Sequence, residues 1–309
     1  AGLALMWEIL YITASLRMPV ILTVVNRALS GNINIHCDHS DTMGARDAGW
    51  IQLYSENCQE AYDNSIQAVR IAEHPDVRLP VMVCLDGFIL SHTLEGLETN
   101  DDEAVRNFIG EYELADSLLN VEEAQTFGAF ALQNYYFEFK KQQADAMERA
   151  PAVVEQIGRE YGELSGRPYG LLDAHRCEDA DLVLVGLGST MGTAKQAADD
   201  LREAEGIKCG VLKVRCFRPF PGEQIRQALK GAAIVGVMDR AVSFGLGGPL
   251  FHEIRSAFYG ETVGMLNFIY GLGGRDLSLS HAKDLFRALL QAADSGQPEP
   301  TLRYIGLRE

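Results

Sequence analysis

"ADLVLVGLGSTMGTAKQAADDLREAEGIKCGVLKVRCF", residues 180–217, holds two apolar runs rich in β-branched residues, joined by a glycine-containing turn and a segment with helical spacing. The runs are continuous rather than alternating, the pattern of strands buried on both faces, so the stretch reads as strand, helix and parallel strand. The alternation continues downstream with helix "PGEQIRQALKG", strand "AAIVGVMDR", helix "PLFHEIRSAFYG", strand "TVGMLNFIYG" and helix "SLSHAKDLFRALLQAADS". Upstream, "PVILTVVN" (19–26), "GWIQLYS" (49–55) and "LPVMVCLDGF" (79–88) are further short strands, with helical "CQEAYDNSIQAVRIAEH" (58–74) between the last two. Two α/β alternations predict two covered parallel sheets. The aperiodic "SGRPYGLLDAHRCEDA" (165–180) marks the boundary, giving domains 1–165 and 166–309.

The opening "AGLALMWEILYITASLR" (1–17) places Leu3, Met6, Ile9, Leu10, Thr13 and Leu16 on one stripe and predicts a helix. It has neither a cap nor a preceding strand, and the expectation is that an N-terminal segment is missing. Between about 100 and 166 lie an acidic segment, the aromatic "NYYFEF" (134–139) and a helix "KKQQADAMERAPAVVEQIGREYGEL" (140–164), which Pro151 should kink or restart.

The composition, with 47% hydrophobic and 23% charged residues over 309, is that of a globular chain with real cores. Lys and Arg total 27 against 43 Asp and Glu, a net charge of −16, which disfavours nucleic acid and anionic lipid as partners. Cys37, Cys58, Cys84, Cys177, Cys209 and Cys216 include no C-x-x-C pair, so no cluster or zinc cassette is expected on this chain. Such thiol usage suits a reducing, cytoplasmic setting. No apolar run approaches the roughly 20 residues that span a bilayer, and the start has no signal-peptide pattern.

Candidate motifs separate by their position. "GLGSTMG" (186–192) lies between strand and helix, but its G-x-G-x-x-x-G spacing differs from the dinucleotide fingerprint, so a tight turn is the expectation. "DRAVSFGLGGPL" (239–250) reads the same way, and His74, His175, His252 and His281 are scattered without a chemical role. The stretch "NRALSGNINIHCDHSDTMGARDAGW" (26–50) is different. Ligands of open α/β sheets bind beyond strand carboxyl ends, and Arg27 directly follows such an end; its planar fork suits a carboxylate. His36, Asp38, His39 and Asp41 match no standard metal spacing, and a loop held by its own side-chain hydrogen bonds accounts for them. No self-contained nucleophile motif stands out.

"VNRALSGNINIHCDHSDTMGARDAGWIQLYSENCQEAYD", "LPVMVCLDGFILSHTLE", "DADLVLVGLGSTMGTAKQA" and "GVLKVRCFRPFP" together resemble the alpha subunit of pyruvate:ferredoxin oxidoreductase, from the first residue to about Phe258. The resemblance implies a pyrimidine-type thiamine diphosphate domain followed by a transketolase C-terminal-like α/β domain. It implies that Arg27 binds the carboxylate of a 2-oxo acid. The activating glutamate and a substrate-contacting threonine of the family are expected upstream of this chain, leaving no catalytic residue here and no metal ligand. Asp38, His39, Asp41, Asp86, Ser91 and His92 are possible pocket or interface residues.

The implied reaction is oxidative decarboxylation of pyruvate to acetyl-CoA and CO2. Thiamine diphosphate is shared with a beta subunit, Mg2+ and [4Fe-4S] clusters sit on partner subunits, and coenzyme A is the co-substrate. Beta, gamma and ferredoxin-like delta subunits, and ferredoxin as electron acceptor, are the implied partners. The alternatives are another 2-oxo acid (2-oxoglutarate, a branched-chain acid or oxalate) or a non-catalytic assembly subunit.

Overall fold

The computed structural model describes residues 2–113, 117–296 and 301–308. The chain begins with α1 (Gly2–Leu5), α2 (Trp7–Ser15), β1 (Ile21–Asn26), α3 (Ser40–Gly44), β2 (Ile51–Tyr54), α4 (Cys58–Glu73), β3 (Val81–Asp86), α5 (Asp102–Ile109) and α6 (Tyr136–Ser165). It continues with β4 (Leu172–His175), β5 (Leu182–Gly186), α7 (Thr190–Glu205), β6 (Cys209–Val214), β7 (Cys216–Arg218) and α8 (Gly222–Leu229). β8 (Ile234–Asp239), α9 (Pro249–Ala257), β9 (Gly264–Ile269), α10 (Leu279–Ser295) and β10 (Leu302–Tyr304) complete it. Two sheets result, ordered β1-β3-β2-β7 and β10-β9-β8-β5-β6-β4. Every pairing is parallel except the two antiparallel edges, β7 on β2 and β4 on β6.

Several local expectations are corrected. "KCGVLKVRCF" is not one strand: it breaks at Arg215, and β7 crosses to the first sheet, pairing Cys216 with Leu53 and Arg218 with Gln52. The cause is the side chain at the break. Arg215 is buried, giving hydrogen bonds to Asn64 Oδ1 at 2.9 Å, Gln67 Oε1 at 3.0 Å and the Gly170 carbonyl at 2.9 Å. The aperiodic boundary stretch contains a strand, β4, short and half-buried enough to escape a periodicity test. Pro151 does not restart α6, which continues through it from Tyr136 to Ser165 with Ala146, Ala150, Val153 and Val154 around it buried. The opening helix is interrupted at Met6; of the expected stripe Leu10 is buried and Leu3, Met6, Thr13 and Leu16 are partly so, while Ile9 is exposed and Ala14 is buried instead.

The halves are cemented by polar as well as apolar contacts. Helix α4 buries Glu60, Asp63, Asn64 and Gln67, a face that would be solvated on an ordinary surface helix. Lys213 of β6 joins Glu60 and Glu56, and Arg167 forks onto Asp63 through Nε at 2.8 Å and Nη2 at 3.0 Å. One apolar cluster combines Leu10, Trp50 and Tyr54 of the first half with Val185, Leu212, Phe217 and Leu250 of the second. Five cysteines are buried, Cys58 is partly so, and all are free thiols. Among the described residues no helix is long and apolar enough to cross a membrane.

Candidate substrate-binding site

The carboxyl ends of the two sheets meet. In the second sheet the chain runs from β5 to β6 on one side and then to β8 on the other, so the crevice between β5 and β8 is its topological switch point, where open α/β sheets bind ligands. The first half fills that crevice with Asp86, from the end of β3. Its Oδ2 accepts from Ser189 N at 3.1 Å, Ser189 Oγ at 2.5 Å and Arg240 Nη1 at 3.0 Å, while Oδ1 meets His39 Nε2 at 2.7 Å. "GLGST" is therefore a turn that holds an anion, and the anion is the chain's own carboxylate. Gly188 has φ +70°, and a Cβ there would lie 2.9 Å from Asp86 Oδ1, so a side chain would block the approach.

His39, Asp86 and Arg240 are all within a few per cent of full burial. Burial disfavours a charged imidazole, but the Asp86 carboxylate beside it prevails and raises the His39 pKa to about 10. Burial likewise opposes ionisation of Asp86, and the charges of His39 and Arg240 outweigh it, holding the carboxyl well below the usual range. Arg240 also gives hydrogen bonds to Thr190 Oγ1 at 2.9 Å and Cys37 Sγ at 3.1 Å, and its guanidinium lies over the Tyr270 ring. Ligand atoms of Cys37, His39 and Asp86 gather within 4.8 Å, as do those of Glu56, Glu60 and Asp173. Each group already encloses a cation of the chain, Arg240 in the first and Lys195 with Lys213 in the second.

Arg27, one residue past β1, is treated differently. Its backbone N–H donates to Asp41 Oδ2 at 3.0 Å, and Asp41 also accepts from Asn26 Nδ2 at 2.8 Å and Thr42 N at 2.7 Å. Burial raises the Asp41 pKa and these donors oppose the rise. The guanidinium itself gives hydrogen bonds to two carbonyls of its own loop, Ala28 O from Nε at 3.1 Å and Asn34 O from Nη2 at 2.8 Å. Among the described residues no carboxylate meets it, and Nη1 has no partner.

The remaining sequence candidates fall in three places. Asp38 is buried and accepts from Ser40 N, a local turn. Ser91 Oγ accepts from Phe88 N at 2.9 Å and meets His92 Nδ1 at 2.8 Å; the Phe88 ring lies between His92 and His36 with centroids 4.3 and 4.5 Å away. His92 is exposed, whereas Asp86 and His39 are buried and meet Ser189 and Arg240 of the second half. Sequence reasoning missed Arg240, Ser189, Thr190 and Tyr270. A signal existed for the first, since "NR" at 26–27 and "DR" at 239–240 both put arginine one residue beyond a strand. His281 has a structural role, closing a capping box with Ser278 at the start of α10.

Paired α/β units meeting at their strand ends, with the Arg27 guanidinium held only by carbonyls of its own loop, define a two-unit α/β architecture. Residues 1–159 match the thiamine diphosphate-binding domain of pyruvate flavodoxin/ferredoxin oxidoreductase, and residues 180–282 match core domain II of pyruvate:ferredoxin oxidoreductase. The chain is 51% identical to pyruvate synthase subunit PorA of Thermotoga maritima, over 100% of this chain and 78% of that one. It is 43% identical to PorA of Methanocaldococcus jannaschii, again over 100% and 78%. Ketoisovalerate oxidoreductase subunit VorA of Pyrococcus abyssi is 39% identical over 99% and 78%. Among solved structures, 2-oxoglutarate:ferredoxin oxidoreductase of Magnetococcus marinus shares the fold at TM-score 0.64 and 19% identity, over 94% of this chain and 52% of that chain, about half its length. The chain belongs to the pyruvate:ferredoxin oxidoreductase family and is an alpha-type subunit of that multi-subunit enzyme.

Proposed function

We propose that Arg27 binds the substrate carboxylate in the oxidative decarboxylation of pyruvate to acetyl-CoA and CO2, with electrons passed to ferredoxin. The observation that carries this reading is the Arg27 guanidinium, aimed by two loop carbonyls and lacking a carboxylate. Asp38, Asp41 and Asp86 are each engaged within the chain, so none of them fits the role of activating thiamine diphosphate. That group comes from another segment or subunit, and this chain supplies a wall of the site. Thiamine diphosphate, when bound, supplies the nucleophilic carbon and the electron sink for loss of CO2. Arg27 orients the 2-oxo acid and holds its carboxylate by charge-assisted hydrogen bonds until that group departs. Mg2+ and [4Fe-4S] clusters belong to beta and ferredoxin-like delta subunits, gamma completes the assembly, coenzyme A is the acyl acceptor, and the complex is cytoplasmic. Exposed His92, stacked on Phe88 beside Ser91, is a contact for one of these subunits. The domains are 1–165 and 166–309, with β7 returned to the first.

Arg27→Lys in the assembled complex tests the reading. A point charge cannot replace the fork, so KM for pyruvate should rise about tenfold or more while thiamine diphosphate content is unchanged. Unchanged KM removes Arg27 from the site. A branched-chain substrate is the second reading, favoured by the VorA relative; it is chosen if kcat/KM for 2-oxoisovalerate exceeds that for pyruvate.

A further inference from the structure

The loop that carries Arg27 does not set its own position. Asn34, whose carbonyl receives Arg27 Nη2, donates its side-chain Nδ2 to the Gly273 carbonyl of the second half at 3.1 Å. Its Oδ1 accepts from His36 N at 2.7 Å, and the His36 carbonyl accepts from Ala28 N at 3.0 Å, closing the loop on itself. Beyond it, Gly274 N donates to Cys37 O at 2.8 Å and His39 N donates to Arg240 O at 2.9 Å. The turn "GLGG" (271–274), after β9, is thus a seat for the loop. The contact leaves no room for side chains: a Cβ on Gly273 would lie 2.4 Å from Asn34 Nδ2, and one on Gly274 would lie 2.4 Å from His36 Cβ. Both glycines also have positive φ, at +63° and +80°.

We propose that Gly273, Gly274 and Asn34 are positioning residues for the carboxylate-binding arginine, so that the second half sets where Arg27 presents its fork. None of them touches substrate. This rests on the assignment of Arg27 as the carboxylate ligand. Because a bidentate contact needs both its distance and its plane, displacing Asn34 by an ångström misaims the guanidinium without removing its charge.

The test uses the assembled complex and steady-state kinetics with pyruvate. Gly273→Ala should raise KM about tenfold with kcat changed less than threefold, since the error lies in binding the carboxylate. Asn34→Ala releases the seat without adding bulk and should give the same split, so the test survives if Gly273→Ala fails to assemble. Gly245→Ala is the control for backbone strain alone, because Gly245 has φ +93° and nothing within 4 Å of its would-be Cβ; its KM should not move. If Arg27→Ala raises KM and the two seat variants do not, the positioning role is overturned while Arg27 stands. If Arg27→Ala itself leaves KM unchanged, the carboxylate assignment fails first. A matching KM rise in Gly245→Ala reduces the effect to general strain and also overturns it.

Discussion

Arg27 and Arg240 each stand one residue beyond a parallel strand, at sheet ends that face one another, yet the fold treats them oppositely. Arg240 is given a carboxylate, Asp86, at 3.0 Å in a dry interface, with Thr190 and Cys37 as further acceptors. Arg27 is given only backbone carbonyls and remains half-buried at an open loop. The difference teaches which strand end is spent on joining the two halves and which keeps its charge uncompensated. A guanidinium already neutralised in a dry site has nothing left to offer a substrate. One held by carbonyls keeps its charge and one edge of its fork.

The comparison is broken most severely by removing the internal carboxylate's charge. Asp86→Asn leaves His39 and Arg240 buried without their counter-charge and should cost about 3–5 kcal/mol of stability, measured by denaturant unfolding. Arg240→Met should cost a similar amount, whereas Arg27→Met should stay within about 1 kcal/mol, because it breaks only part-buried hydrogen bonds to carbonyls and strands no buried counter-charge. Equal destabilisation by the two arginine variants would erase the distinction.

Protonation sharpens it further. His39 has a folded pKa of about 10 against 6.5 unfolded, so the stability it adds is complete below 6.5 and is lost as pH rises through the folded value. Asp239, which caps α9 through Leu250 N and Phe251 N, is pushed by burial up to about 7, and its contribution falls earlier, as pH rises from the unfolded 3.8. Between roughly pH 8 and 10, where Asp239 has finished titrating, the melting temperature should fall, and His39→Gln should flatten that slope. A slope unaffected by the substitution would mean that His39 is neutral in the fold. The smallest effect is expected outside the network: His36→Ala, at an exposed position against Phe88, should change stability by no more than about 0.5 kcal/mol and leave metal content unaltered.

Much of this was legible in residues. The continuous runs at 182–185 and 81–85 had to be strands buried on both faces, and the helices between them had to make those strands parallel. The place of Arg27 followed from the same pattern, because a strand end in such a sheet is where backbone and helix termini converge on ligands. Local periodicity also fixed its own errors: β4 and β7 are too short to show a period, and Ile9, placed on the buried stripe beside Leu10, is exposed.

What the sequence determined by itself was therefore the class of layers, the existence of two sheets and the place of Arg27 one residue past a strand end, since each depends on residues adjacent in the chain. Only the tertiary structure decided that Asp86 enters the second sheet's crevice, that β7 is lent to the first, and that Gly273 seats Asn34. Those contacts join residues 103, 163 and 239 positions apart in the chain. Their free energy comes from desolvated charge and close backbone approach, which exist only once both halves are packed, and no local pattern of residue types encodes which partner a buried carboxylate will meet.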